Sequence, residues 1–263
     1  MTETINAYTV RAAGTECRVW EKGTGEPLVF FGGLGGVPKW TPFLDALASS
    51  RRVIVPSPPG FPGSADGHKG FSSYLDWITA TLDILDGLSE VDRPDVVGAS
   101  VGGLLAAELA AIGGERVRKL VLISPFGIYD TKTPGVDPFA VVPNDIPLIR
   151  SNQPARFAEA FSPPADASPT EWAIMLNRVE DASARILWPF GDRGLAQRLH
   201  RITQPTLLLW GSHDKILPPA YADKYAALIT GDVQTKTIDG AGHLAAVDQP
   251  DIAAEHVLAF LSA

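Results

Sequence analysis

A single cysteine, Cys17, stands in the 263 residues, so no intrachain disulfide can form. It lies in an alternating segment that reads as a strand, where a thiol packs as a small buried hydrophobe. No run approaches the ~20 apolar residues a membrane span requires. The opening Met-Thr-Glu-Thr-Ile-Asn has neither the basic nor the apolar region of a secretion signal. These absences predict a cytoplasmic protein without a membrane partner. Basic residues number 22 against 30 acidic, a formal net charge of -8, and no concentrated basic face appears. That balance argues against a nucleic-acid partner and disfavours a polyanionic substrate. A metalloprotease H-E-x-x-H is missing, as is a G-x-G-x-x-G set after a strand, so neither a metal nor a cofactor is expected.

What is present is a rhythm of short apolar runs and helical repeats with no low-complexity linker, which predicts one domain carrying an insertion. Tyr8 to Arg11 and Glu16 to Glu21 alternate about Gly14 and suggest an antiparallel pair at a sheet edge. Leu28 to Phe31, Arg52 to Val55, Asp95 to Val97 and Lys119 to Ile123 are continuous apolar runs, the mark of strands buried on both faces. A helix opening at Ser72 or Ser73 places Leu75, Ile78, Leu82 and Leu85 on one face. Thr206 to Trp210 and Val233 to Ile238 resume the sheet, with Pro219 to Leu228 helical between them and a last helix from about Gln249 to Leu261. The alternation implies an α/β fold: a mostly parallel central sheet with helices on both faces. From Ser124 to about His200 proline and glycine become dense and no strand-like run occurs. Helices are expected there near Arg156 to Phe161, Pro169 to Trp188 and Asp192 to Arg201. Residues 1–124 and 201–263 therefore read as the core and 125–200 as a helical cap. Aromatic and methionine positions in or near that insert fit its own small core. As a group they are also expected to line a pocket, with Phe126, Phe161, Trp172, Met175 and Trp188 as its candidates.

The stretch Asp95 to Ile112 is a strand, a turn and an Ala/Leu helix, and the turn is Gly98-Ala99-Ser100-Val101-Gly102. By itself a G-x-S-x-G pentapeptide fits a glycine-rich connection with a solvated serine as readily as a nucleophile elbow. A strand before and a helix after are the setting the second reading needs. Ser100 would then stand clear of the sheet with the Val101 amide and the helix N-terminus beneath a developing oxyanion. The glycines at 32, 33, 35 and 36 follow a buried strand and could serve only as a flexible loop, or could supply a second amide donor. Trp210 to Asp214 and Asp239 to His243 each end a strand at its carboxyl end, where open α/β sheets build their sites. The order Ser100, Asp214, His243 supplies a nucleophile, an orienting acid and a base. His68, His200, His213 and His256 read as structural or solvated.

With these motifs the chain resembles the α/β-hydrolase superfamily, in particular its capped serine hydrolases. The resemblance rests on Gly98 to Gly102, on Leu207 to Asp214, on Leu217-Pro218-Pro219 and on Gly240 to His243. It implies Ser100, Asp214 and His243 as catalytic residues and the amides of Leu34 and Val101 as the oxyanion hole. Two departures stand out: Gly32-Gly33 where many relatives have His-Gly, and Ser57 where many have Asp before Pro-Gly. The expected activity is cofactor-free hydrolysis of a carboxylic ester or lactone of a small, fairly apolar molecule through an acyl-serine, by a monomer or homodimer. The alternatives are hydrolytic C–C cleavage of a diketone-like substrate, which Leu244 after the histidine disfavours because such relatives often carry an aromatic there, and a non-catalytic ligand-binding protein.

Overall fold

A computed structural model describes residues 4–263. Met1–Glu3, part of the stretch read for a leader, lie outside the described residues. Eight strands form one sheet in the order β1-β2-β4-β3-β5-β6-β7-β8. They are β1 (Asn6–Ala12), β2 (Thr15–Lys22), β3 (Pro27–Phe31), β4 (Arg52–Pro56), β5 (Asp95–Ala99), β6 (Leu120–Ile123), β7 (Thr206–Gly211) and β8 (Val233–Ile238). β1 and β2 are antiparallel to their neighbours and the remaining strands run parallel. Successive residues of the central strands enter different cores. Val96 packs on one face and Val97 on the other, as do Leu208 and Leu209. Burial on both faces is why these strands are continuously apolar. β8, an edge strand, instead exposes Gln234 to Thr237, a polar edge that discourages pairing with another chain.

Helices α1 (Pro42–Ala48), α2 (Tyr74–Gly87) and α3 (Val101–Gly113) belong to the first half of the chain. α1 was not evident from hydrophobic periodicity. Thr41 is its N-cap, accepting from the Leu44 amide at 3.4 Å, and Pro42 follows as its first residue. α2 starts as expected, with the Ser72 and Ser73 amides donating to Asp76 at 2.8 and 2.7 Å. Its buried face differs from the expected one: Leu75 is 60% exposed, and Trp77, Ile78, Thr81, Ile84 and Leu85 face inward. α3 is buried from Val101 to Ala111. Its one charged residue, Glu108, accepts from Arg198 Nε at 2.7 Å and from the Tyr74 hydroxyl at 3.2 Å, so the buried carboxylate is compensated. Cys17 lies buried in β2, and burial pushes its thiol up to about 11.

Between β6 and β7 come α4 (Ile146–Arg150), α5 (Pro154–Phe161) and α6 (Pro169–Leu187). Asp192 to Arg201 is not a helix as expected. It holds two 3₁₀ turns, Leu195–Gln197 and Leu199–Arg201, entered through Gly194 in the left-handed region. α6 buries Val179, Ala182, Ser183, Ile186 and Leu187, a single helical stripe. It docks through polar contacts as well. Ser183 Oγ donates to the Leu34 carbonyl at 3.1 Å, Arg178 to the Ser64 carbonyl at 3.3 Å, and His68 Nε2 lies 3.1 Å from Asp181. The chain closes with α7 (Tyr221–Leu228), α8 (Ala245–Asp248) and α9 (Pro250–Ser262). α1 and α9 cover one face of the sheet, and α2, α3 and α7 the other. No helix among the described residues is long and apolar enough to cross a membrane.

His68 is fully buried, and burial lowers its pKa against the opposing pull of Asp181, with Arg185 and Lys69 adding to the lowering. The folded protein therefore holds this proton less tightly than the unfolded chain. The resulting stabilisation is complete above the unfolded value of about 6.5 and is lost as pH falls through the lower folded value. Urea unfolding at pH 7.5 and pH 5 is expected to show a larger loss of stability on acidification in wild type than in His68→Gln. Equal losses would remove His68 from the pH response.

Candidate functional site

β5 turns into α3 at Ser100, whose φ of 55° and ψ of -118° are rare for a residue with a side chain. The turn is held from several sides. The Ser100 amide donates to the Ile123 carbonyl at 2.8 Å, and its carbonyl accepts from the Leu104 and Phe126 amides, each at 3.1 Å. Backbones crowd around it. A Cβ on Gly98 would sit 2.4 Å from the Gly102 carbonyl oxygen, and one on Gly102 would sit 2.3 Å from that of Phe31. Glycine is needed at both because no side chain fits.

Ser100 Oγ lies 2.8 Å from His243 Nε2, and His243 Nδ1 lies 3.0 Å from Asp214 Oδ2. The other Asp214 oxygen accepts from the Ile216 and Leu217 amides, both at 2.9 Å, so each oxygen has a defined task. All three residues are buried. Asp214 follows β7 and His243 follows β8. The parallel sheet thus brings its carboxyl ends together over 114 and 29 residues of chain. Of the other histidines, His213 adjoins Asp214 yet is exposed, with Nδ1 2.8 Å from Ser212 Oγ.

The glycine-rich loop after β3 lies against Ser100: a Cβ on Gly33 would be 3.0 Å from Ser100 Cβ. The Gly36 amide donates to the Gly33 carbonyl at 2.8 Å, a four-residue turn that leaves the Leu34 amide outside its own bond. Val101 opens α3 beside the hydroxyl. Gly32 is enclosed, since a Cβ there would meet Val37 at 2.7 Å and Gly36 at 3.0 Å. A residue missed in the sequence secures this loop. Arg18 Nη2 donates to the Val37 carbonyl at 3.0 Å and to Ser57 Oγ at 2.7 Å, and burial lowers the Arg18 pKa to about 10. Arg18 stands between the buried Cys17 and Val19 in an alternating strand that also carries Glu16, Glu21 and Lys22, so nothing in the sequence sets it apart from the other polar positions. The serine at 57 is thereby the arginine's partner.

The expected pocket residues separate. Phe126 stands 5.3 Å, ring to ring, from His243. Phe161 lies over Gly35, where a Cβ would come within 2.2 Å of its ring, and it lines a cavity of about 60 Å³ with Gly33, Leu34, His243 and Leu244. Trp172 is one step removed; its indole N–H donates to the Phe161 carbonyl at 2.9 Å. Met175 is half-buried on α6 and is not among the cavity's lining residues. Trp188, expected in the pocket, is 59% exposed and lines a separate outer groove with Phe71, Tyr74 and Trp77. It follows the last residue of α6, past the buried stripe. A larger groove of about 460 Å³, with Lys39, Trp40 and Arg156 on its walls, shares Thr41, Ala160, Ala246 and Val247 with the inner cavity. Among the described residues no cluster of three His, Cys, Asp or Glu is arranged to hold a metal ion.

The model of the Alpha/beta hydrolase family matches residues 28–256. The chain is 27% identical to a 2-hydroxy-6-oxo-2,4-heptadienoate hydrolase of Pseudomonas putida, across 91% of this chain and 90% of that protein. It is 24% identical to a carboxylesterase of Bacillus subtilis, across 89% and 79%. Among solved structures, the naproxen esterase of Bacillus subtilis superposes with a TM-score of 0.75 at 20% identity, covering 99% of this chain and 92% of that one.

The glycine at 102 carries a stability prediction. Gly102→Ala is expected to lose on the order of 4 kcal/mol or more in urea unfolding, because its Cβ meets backbone. Gly113→Ala, at the far end of the same helix with its nearest contact at 3.6 Å, should be neutral or stabilising by up to about 1 kcal/mol. A Gly102→Ala protein within about 1 kcal/mol of wild type would contradict the crowding described here.

Proposed function

The chain belongs to the alpha/beta hydrolase family, and we propose that it hydrolyses carboxylic esters or lactones of small, fairly apolar molecules through an acyl-serine intermediate. The observation that carries this reading is the 2.8 Å approach of Ser100 Oγ to His243 Nε2, with Asp214 on the opposite ring nitrogen. Ser100 Oγ attacks the carbonyl carbon while His243 Nε2 takes its proton, and Asp214 holds the tautomer and stabilises the imidazolium. The oxygen that becomes negative faces the amides of Leu34 and Val101, each donor contributing roughly 2.7–4 kcal/mol to the transition state. The tetrahedral species collapses, and the departing alcohol leaves with the proton from His243. Water then repeats the sequence from the other side, giving up its proton to His243 and releasing the carboxylic acid and free Ser100. Residues 125–200 act as a cap in this scheme, with Phe161 as the roof over the reacting groups.

The inner cavity sets a size. A dry cavity of about 150 Å³ holds benzene, so about 60 Å³ accommodates two or three non-hydrogen atoms of an acyl chain. The alcohol portion then occupies the larger groove. Relatives of both chemistries give the C–C reading weight: a heptadienoate hydrolase and a carboxylesterase match at comparable identity. Leu244 lining the cavity, in place of an aromatic, supports the ester.

One substrate panel tests the reading. Nitrophenyl acetate and butyrate are expected to be hydrolysed with higher kcat/KM than the octanoate, and a vinylogous diketone poorly. Ser100→Ala is expected to lower turnover by a factor on the order of 10⁶. Turnover of the diketone alone would establish C–C cleavage instead. A Ser100→Ala protein with its biological effect intact would point to ligand binding without hydrolysis.

A further inference from the structure

Asp248 ends α8 with its carboxylate fully buried. Its partners are three neutral donors drawn from two separate parts of the chain. The Gly242 amide donates to Oδ2 at 2.7 Å, the Asn152 amide donates to the same oxygen at 2.8 Å, and the Ser151 hydroxyl donates to Oδ1. Gly242 is the residue before His243. Ser151 and Asn152 join α4 to α5. Two more bonds run beside these: the Leu244 amide donates to the Arg150 carbonyl at 2.9 Å, and Asn152 Nδ2 to the Gly240 carbonyl at 2.8 Å. The backbone on either side of His243 is thus tied to residues 150–152. Arg150 in turn pairs with Glu180 of α6 at 2.7 Å. The fit is close, since a Cβ on Gly242 would stand 2.8 Å from the Asn152 nitrogen and 3.2 Å from Asp248 Oδ2.

Burying a carboxylate among neutral groups costs several kcal/mol in desolvation, which hydrogen bonds must offset. Asparagine fills the same volume without that cost, but with one acceptor oxygen for the two amides its NH₂ must donate to Ser151 Oγ, which already accepts from the Gln153 amide at 2.9 Å. A carboxylate accepts both amides on one oxygen and the hydroxyl on the other. The charge therefore gathers donors, and the donors it gathers belong to the His243 loop and the α4–α5 linker.

We infer that Asp248 is a positioning residue: by clamping the Gly242 amide it fixes the His243 ring against Ser100, and it makes seating of the 150–152 linker a condition of that geometry. This rests on the reading of Ser100 as nucleophile and His243 as base. A displacement of the linker, for instance when substrate enters beneath α5, is transmitted to the base through one carboxylate.

The test uses Asp248→Ala, which removes the acceptor, and Gly242→Ala, whose Cβ would meet the Asn152 nitrogen at 2.8 Å and push the two segments apart, so that one carries the test if the other fails to fold. The far-downfield proton resonance of His243 Nδ1–H is followed by NMR, and kcat and KM are measured on nitrophenyl acetate. Both variants are expected to broaden or lose the resonance and to lower kcat by roughly 10- to 100-fold with KM within about threefold, since a misplacement of about 1 Å costs on the order of 10²-fold. A folded variant whose melting temperature falls while resonance and kcat stay at wild-type values would assign Asp248 to folding alone and overturn the inference. A wild type inert toward every ester, whose resonance still disappears in the variants, would sink the hydrolase reading and leave the clamp standing.

Discussion

Ser100 holds a left-handed backbone that the neighbouring strands of the sheet keep in place. A residue with a side chain held in such a conformation costs on the order of 1–3 kcal/mol, and it persists only where its surroundings leave no alternative. Here the surroundings are the Ile123 carbonyl, the Leu104 and Phe126 amides, and the packed backbones of Phe31, Gly98 and Gly102. Those contacts exist because β3, β5 and β6 lie side by side in parallel, with Phe30, Val97 and Val121 in one row. The same parallel order sets β7 beside β6 and β8 beside β7, which delivers Asp214 and His243 to the edge where the serine emerges. A geometry accurate to a hydrogen bond is obtained from apolar strands far away in sequence.

The sheet and the three aligned side chains were legible because their signals are strong and local. Leu28 to Phe31 and Thr206 to Gly211 are buried on both faces, and only continuous apolar character meets that demand. Gly98 and Gly102 mark a backbone contact that any side chain would block. Other features depend on partners that periodicity does not reveal. Leu75 fits the helical repeat of α2 but faces solvent, while Trp77 turns inward to meet Phe71 at 4.9 Å. α1 is seven residues long, too short for a repeat to stand out, and its sign is the Thr41-Pro42 start. Asp192 to Arg201 has helical composition, yet Arg198 turns to reach Glu108 and the backbone follows in 3₁₀ turns. Trp188 sits at the end of a sound helix, and which face it takes is settled by how α6 docks on the Leu34 and Ser64 carbonyls.

The insert between β6 and β7 is held differently from the core. α5 buries no side chain fully, and its end is fastened by Trp172 to the Phe161 carbonyl and by Lys39 to the Glu159 carbonyl. Few apolar contacts and several individual polar ones describe an element with low local stability, the kind drawn on for motion near a site. The core beneath it is continuous and apolar. The relatives on this fold include a heptadienoate hydrolase and a carboxylesterase, so the fold by itself does not select the bond cleaved.

The most direct measurement is intact-mass detection of covalent labelling by a reactive fluorophosphonate. If His243 draws the proton from Ser100, wild type acquires one adduct, peptide mapping places it on Ser100, Ser100→Ala acquires none, and His243→Ala labels slower by at least about 100-fold. An unlabelled wild type, or an adduct on another residue, would contradict the assignment of Ser100 as a nucleophile activated by its neighbour.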